Sequence, residues 1–397
     1  MNESSLNPLV YQGELSHTVT LSMIDAFLLW AVEQGASDVV FRADDPPWLQ
    51  IDGFWHAVSP HFTFTLGECQ LLTNLFSGQE HKAGNVQRGM SADFAYAVRI
   101  PGLRGEVQRF RVNVTASNAG HYLVLRPLPI RLPLLSDLGL EEQLLAHLYP
   151  ENGLVLISGV MGSGKSTLLA GMMHSAIVRR EYGGLGIGRQ ILTLEQPIEF
   201  DFASLPHHTR SAPIAQSEIE SHVESWPCGV RSMTRRKGEI VMVGEARDRE
   251  TLSAMLGIVE QGVTCYATVH AQDVPQTITR VVNSFPEEER AQVASLLKAN
   301  LRLIIHQRLV PRLRNGNFVR GFGRIALREF LVFDETIRRK LFSVPSAQLI
   351  MTVRSFVERY GQSLAVDASH KYAQGLISQD LYYTFLSRKA EENSSDP

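Results

Sequence analysis

Cysteine is scarce in this chain: three among 397 residues, Cys69, Cys228 and Cys265, far apart in sequence. None forms a pair with metal-clip spacing, and an odd count speaks against a disulfide framework. Such usage fits a reducing cytoplasm. Long apolar runs are also missing. No window approaches 18 uninterrupted apolar residues, so no transmembrane segment is expected. The first twenty residues lack a basic region followed by an apolar one, so no secretory signal is visible. Nor does one sign of charge dominate. Lys and Arg total 38 against 41 Asp and Glu, a formal net charge of −3, which argues against a broad, sequence-independent grip on nucleic acid. There is no internal repeat. The polar end "KAEENSSDP" is the one biased tract and reads as a disordered tail, 389–397.

What is present is a globular profile, 44% hydrophobic and 20% charged, with length for two or three domains. Residues 21–34 set Ile24, Phe27, Leu28 and Ala31 on one helical face, and Gly35 closes that helix. "DVVF" and "PWLQIDGFWHAV" read as strands, with Asp52-Gly53 as a hairpin turn. In "VQRFRVNVT" the alternation is strict: Phe110, Val112 and Val114 face one way, Arg109, Arg111 and Asn113 the other. Arg126 lies on a last strand, "HYLVLRPL". These features predict a small α+β domain over 1–126. Three prolines in "PLPIRLPLLSD" then mark a stiff linker, 127–139.

From residue 140 to 388 the texture changes. "GLVLISG", "QILTLE", "EIVMVG" and "VTCYATVH" are short apolar runs separated by helical stretches. This alternation predicts a mostly parallel sheet covered by helices. Beyond Pro286 the chain reads as largely helical, with "FGRIALREFLVF" as a strand in between.

The strongest signal is "LISGVMGSGKSTLLA". It holds Gly159-x-x-x-x-Gly164-Lys165-Ser166 between an apolar strand and a helix, the context a phosphate-binding loop needs. Backbone N–H groups around Gly159, Gly162, Ser163 and Gly164 can turn toward phosphate oxygens, and the helix start at Ser166 and Thr167 adds partial positive charge. Lys165 is expected to reach the β- and γ-phosphates, and the Ser166 hydroxyl to ligate Mg²⁺. A guanine-reading Asn-Lys-x-Asp is absent, which counts against a GTPase.

Three later strands end in chemistry-bearing residues: Glu195 after "QILTL", Glu245 after "EIVMVG" and His270 after "CYATV". Parallel sheets gather reactive groups at strand carboxyl ends. Each glutamate alone also fits a solvated helix cap, and His270 alone a structural histidine. Together they suggest one carboxylate ordering Mg²⁺ and another handling the attacking water. Gly244 is expected to keep the backbone close to the metal shell.

Four ordered boxes resemble the PilT/GspE/VirB11 class of secretion ATPases: "GVMGSGKST", "TLEQPIEF", "IVMVGEARDRET" and "ATVHAQDVPQTITRVVNSFP". "GASDVVFRADDPPWLQIDG" and "RFRVNV" resemble the PAS-like N-terminal domain of that class. "QSEIESHVESWPCGVRSMTRRK" and "LREFLVFDE" are most similar to the TraJ/DotB branch, of IncI plasmid conjugation and type IVB (Dot/Icm) secretion. Gln196 stands where the class usually has aspartate, and "TIRRKLFSVP" replaces the intact box of pilus-retraction motors.

The resemblance implies a RecA-like P-loop ATPase domain of α/β class, with a helical C-terminal part, after the smaller α+β domain. It implies an ATP- and Mg²⁺-dependent homo-hexamer serving inner-membrane components of a secretion or conjugation apparatus. That places it in the cytoplasm, peripheral to the inner membrane, without direct nucleic-acid binding. It assigns Glu195 as general base, Glu245 as Walker B carboxylate and His270 as γ-phosphate sensor, and makes Arg109, Arg111 and Arg126 the candidate source of an arginine finger. A pilus-retraction-like motor and a DNA-translocating ATPase, the latter prompted by "RRK" at 235–237, are the rival readings.

Overall fold

The computed structural model describes residues 9–13, 15–51, 54–103, 106–178, 188–314, 317–318, 323–345 and 348–394. The chain divides into two compact units, 1–131 with 196–200, and 132–195 with 201–397.

The first unit begins with α1 (Leu21–Glu33), whose N-cap Thr20 accepts a hydrogen bond from the Met23 amide. Its buried residues are Ile24, Phe27, Leu28 and Ala31, the face that periodicity predicts. Strands β1 (Ala36–Arg42), β2 (Trp48–Ile51) and β3 (Phe54–Ala57) follow. Then come helices α2 (Leu66–Ser77) and α3 (Lys82–Gln87), and strands β4 (Ala92–Arg99), β5 (Val107–Ser117) and β6 (Gly120–Pro127). The helix α2 opens with a reciprocal capping box between Thr65 and Glu68. The six strands form one antiparallel sheet in the order β3-β2-β1-β6-β5-β4. The alternation along β5 holds: Phe110, Val112 and Val114 enter the core with Phe27, Phe41 and Leu125. The Asp52-Gly53 turn lies outside the described residues, although Ile51 and Phe54 on either side of it are paired.

The second unit starts with the short α4 (Glu142–Leu145) and then alternates: β7 (Gly153–Ser158), α5 (Lys165–Val178), β8 (Ile191–Glu195), β9 (Ile214–Glu218), α6 (Trp226–Arg235), β10 (Ile240–Val243), α7 (Arg249–Glu260), β11 (Thr264–Val269), α8 (Val274–Asn283) and α9 (Glu287–Asn300). Strand β12 (Leu301–Pro311), the two-residue strands β13 (Leu313–Arg314) and β14 (Asn317–Phe318), and β15 (Arg324–Val332) lead to helices α10 (Glu335–Phe342), α11 (Leu349–Tyr360), α12 (Leu364–Ala373) and α13 (Gln379–Ser394). The seven-stranded sheet runs β15-β12-β7-β11-β10-β8-β9. All neighbours are parallel except the β12–β15 pair. One large core joins alternate residues of β8, β10 and β11 to α6, α7, α8 and α9, and α5 packs on β7 and β11.

Two expectations change. The stretch Leu301–Pro311 is a long strand, not helix. Leu303 to Gln307 are all buried in succession, as a strand between two neighbours requires and a one-sided helix does not. The helix α13 also continues to Ser394, into the polar stretch read as disordered. Its Asp380 near the start and the helix-forming run of Lys389, Ala390, Glu391 and Glu392 favour that continuation. Among the described residues no helix is long and apolar enough to cross a membrane.

Candidate active site

The strand β7 is buried along all six residues, so its polypeptide enters the loop at Gly159 from the sheet interior. Glycine is required at two loop positions. Gly159 has φ +151°, and a Cβ there would lie 2.4 Å from both the Gln307 carbonyl oxygen and Ser163 Oγ. Gly164 has φ +82°, with Gln307 Nε2 at 2.9 Å from an added Cβ. The loop then runs directly into α5, whose first residue is Lys165. Lys165 is 8% exposed, and its Nζ donates to the carbonyls of Gly159 and Val160, each at 2.9 Å. Ser163 Oγ is buried without a hydrogen-bond partner. Ser166 is exposed on the first turn of α5, beside Thr167. A tight glycine loop, a buried ammonium, an unsatisfied hydroxyl and a helix start form a cradle that fits phosphate oxygens.

Strand order brings the other residues to the same edge. β7, β11, β10 and β8 are consecutive and parallel, so their carboxyl ends align. The phosphate loop leaves β7, His270 follows β11, Glu245 follows β10 and Glu195 ends β8. These segments are pinned. Thr268 Oγ1 donates to the Gly244 carbonyl, and the Ala246 amide donates to the Thr268 carbonyl. Asp248 then caps α7 by accepting from the Thr251 amide at 2.8 Å, and Asp273 caps α8 through the Gln276 amide at 2.6 Å. The caps fix where each helix begins, and so how few residues span the site.

Glu245 is held from both sides. Its Oε1 lies 3.1 Å from His270 Nε2, and its Oε2 accepts from Arg247. Burial pushes the carboxyl up. The hydrogen bond and charge of Arg247, with the charges of His270 and Lys165, outweigh burial and hold it below the usual carboxylate range. Glu195 is 7% exposed; its Oε1 accepts from Thr193 Oγ1 at 2.7 Å and Gln216 Nε2 at 3.0 Å. Gly244 allows a close backbone approach. Its amide donates to the Leu194 carbonyl at 2.8 Å, and an added Cβ would sit 3.3 Å from that oxygen and 3.5 Å from Glu195 Cα. It brings β10 close to Glu195.

Behind the loop, His306 is fully buried on β12 with Nδ1 3.3 Å from Ser158 Oγ. Thr277 Oγ1 lies 2.8 Å from the same hydroxyl. Burial, then the charges of Arg308 and Lys165, push His306 down to about 3.

The three candidate arginines belong to the first unit. Arg111 and Arg126 face each other across β5 and β6. Arg111 lies 3.6 Å from Asp93, and Arg126 pairs with Asp38 at 2.9 Å. Arg109 Nη1 is buried without a hydrogen-bond partner. Arg231 and Arg235 lie on α6, and Arg236 Nη1 donates to Ser217 Oγ at 3.2 Å. Sequence reasoning missed Arg247, Thr193, Gln216 and Glu218. Glu218 ends β9 directly beside Glu195 and is buried. Arg247 had a signal, standing two residues after Glu245. The other three lie on β8 and on β9, where nothing in the residue pattern points at the edge.

Among the described residues no group of three or more His, Cys, Asp or Glu is placed to hold a metal ion. A Mg²⁺ ion here would arrive with phosphates, with Ser166 and Glu245 as its protein-side partners.

A phosphate cradle at one edge of a parallel sheet, faced by a glutamate–histidine pair, defines a P-loop nucleotide-binding α/β protein. Residues 92–378 match the family described as type II/IV secretion system protein, and the chain belongs to that family of secretion ATPases. It is 30% identical over 357 residues to the type IV pilus retraction ATPase PilT of Pseudomonas aeruginosa, covering 90% of this chain and 96% of that one. The ATPase DotB of Legionella pneumophila has a similar crystal structure, with a TM-score of 0.78, 33% identity and coverage of 96% of this chain and 99% of that one. A crystal structure of the pilus retraction motor PilT with bound ADP matches with a TM-score of 0.73, 28% identity and coverage of 90% and 95%. The likeness to DotB supports the TraJ/DotB branch of the family.

Proposed function

We propose that this chain is a Mg²⁺-dependent ATPase that works as a homo-hexameric motor for a type IVB secretion or plasmid-conjugation system. The observation that carries the reading is the shared edge of β7, β11, β10 and β8, with Lys165, His270, Glu245 and Glu195 on it. The loop amides and Lys165 bind the triphosphate, and Lys165 exchanges the carbonyls of Gly159 and Val160 for phosphate oxygens. Ser166 and Glu245 would hold Mg²⁺, which would neutralise charge on the β- and γ-phosphates. Glu195, fixed by Thr193 and Gln216, orients the attacking water and takes its proton. His270, held on Glu245, senses the γ-phosphate. One of Arg109, Arg111 and Arg126 supplies the guanidinium that follows the phosphate. Differential contacts to ATP and ADP then bias the conformation of the chain, which is the source of mechanical work. The motor acts from the cytoplasm on inner-membrane components.

The similarity to PilT over 90% of the chain favours a second reading, a pilus-retraction motor. ATP turnover with and without Mg²⁺, together with particle mass with ATP and without nucleotide, tests the motor. A monomer without Mg²⁺-dependent turnover ends the proposal. Exchange of the native gene for the E245Q version separates the two readings. Loss of plasmid or substrate transfer with normal surface motility supports the first, and the reverse supports the second.

A further inference from the structure

Strands β12 and β15 pair antiparallel with Gln307 opposite Arg328. Both side chains are almost fully enclosed, at 3% and 2% exposure. Gln307 Nε2 donates to the Ser163 carbonyl at 2.7 Å, and its Oε1 accepts from Arg328 Nε at 2.9 Å. The other two guanidinium nitrogens of Arg328 reach a separate segment. Nη1 donates to the Gly139 carbonyl at 2.9 Å and Nη2 to the Leu138 carbonyl at 2.6 Å. A continuous line of hydrogen bonds therefore joins the phosphate loop to the end of the proline-rich linker.

Burying a guanidinium costs several kcal/mol, roughly, unless charge and hydrogen bonds compensate. Glu141 lies 3.7 Å from Arg328 Nη1. Asp367 accepts from the Arg328 amide at 2.7 Å, and Lys371 bridges Asp367 and Glu141. A lysine in this place has one nitrogen and cannot reach three carbonyl-type acceptors on two segments; the planar fork of arginine can.

The consequence for the loop follows from peptide geometry. In a planar trans peptide the C=O and the next N–H point in opposite directions. Gln307 holds the Ser163 carbonyl, so the Gly164 N–H is turned away from β12. That amide is one of the donors a phosphate-binding loop presents. An unpinned Ser163–Gly164 peptide could flip and present a carbonyl to the phosphate instead.

We infer that Arg328 is a positioning residue for nucleotide, acting through Gln307 on the Ser163–Gly164 peptide, and that the same pair couples the loop to linker residues Leu138 and Gly139. The inference rests on the phosphate loop binding nucleotide. Coupling of this kind is reciprocal: nucleotide alters the linker, and the linker state alters nucleotide affinity.

The test uses the full-length chain and two variants. Gln307→Glu keeps an acceptor for Arg328 and removes the donor to Ser163. Arg328→Lys keeps the charge and removes the fork. Binding of a fluorescent ADP analogue is measured alongside thermal melting, and trypsin cleavage after the exposed Arg131 is followed with and without saturating ADP. Wild-type protein is expected to bind ADP and to show an ADP-dependent change in cleavage at Arg131. Both variants are expected to bind about 5–10-fold more weakly, as loss of one oriented hydrogen bond implies. They should also lose the ADP effect on cleavage even when saturated, a response that altered stability alone would not remove. If Arg328→Lys fails to fold, Gln307→Glu decides. Folded variants with wild-type affinity and wild-type cleavage response overturn the inference, as does a wild-type linker whose cleavage ignores bound ADP. Wild-type protein that binds no nucleotide overturns the functional reading, and this inference with it.

Discussion

The two sheets of this protein hold their charged residues in opposite ways. At the edge of the seven-stranded sheet, Lys165 is buried at the start of α5, Glu195 is buried at the end of β8, and Glu245 is half-buried between Arg247 and His270. On the six-stranded sheet, Arg111 lies half-exposed in mid-strand beside the half-exposed Asp93, and Arg126 lies exposed near the end of β6 beside the buried Asp38. Burying a charge is costly unless a partner or a ligand compensates, and each charge at the parallel edge is held by hydrogen bonds or an ion pair. The half-exposed Arg111–Asp93 pair costs little and contributes little, about 0–1 kcal/mol, whereas Arg126 compensates the buried Asp38. The contrast teaches that a site can be argued from burial and convergence in one sheet, while in the other charge alone decides nothing.

The largest expected effect that sharpens this contrast is at Glu195. Glu195→Gln should lower ATP turnover about 10²–10⁴-fold, the range for removing a general base, with melting unchanged; steady-state phosphate release measures it. Single alanine variants of Arg109, Arg111 and Arg126 come next. A residue acting as finger should lose about 10³ in turnover, while loss of the half-exposed Asp93 pair alone should move stability by no more than about 1 kcal/mol and loss of the cation beside the buried Asp38 by more than that. If all three variants turn over normally, the open face carries no chemistry and the contrast becomes absolute.

A smaller effect lies behind the phosphate loop. His306 is neutral in the folded chain down to about 3, whereas in the unfolded chain it takes up a proton near its ordinary 6.5. The unfolded state then binds more protons, so stability falls as pH drops through that window, by at most about 1.4 kcal/mol per unit. His306→Asn should flatten this slope in urea titrations at successive pH values. The smallest effect is at Arg247. It supplies the leading interactions that lower the Glu245 carboxyl, so Arg247→Ala should move the acid limb of the turnover profile upward. An unmoved limb would mean that Glu245 does not govern that limb.

Much of the site was legible because parallel strands obey a simple rule. An apolar run ending in a reactive residue places that residue at the carboxyl edge, and Glu195, Glu245 and His270 each follow such a run. The phosphate loop carries its own glycine signature. The N-terminal helix was equally clear, since Ile24, Phe27, Leu28 and Ala31 repeat with helical period. What the sequence hid depends on strand order. Glu218 lies beside Glu195 only because β9 adds to the sheet next to β8. Gln307 reaches Ser163 only because β12 sits against β7, and β12 itself reads as helix because Arg302, His306, Gln307 and Arg308 interrupt its apolar residues without a two-residue alternation. Gly244 was legible as a close approach, but its neighbour, the β8 backbone, was not.

The account stands on Glu195, Glu245, His270 and the phosphate loop forming one hydrolytic site. Side-by-side assays of wild-type and Glu245→Gln protein address this most directly, with ATP binding and MgATP hydrolysis followed separately. The account predicts that the variant retains ATP binding and loses at least about 100-fold in turnover. Hydrolysis at the wild-type rate would contradict it.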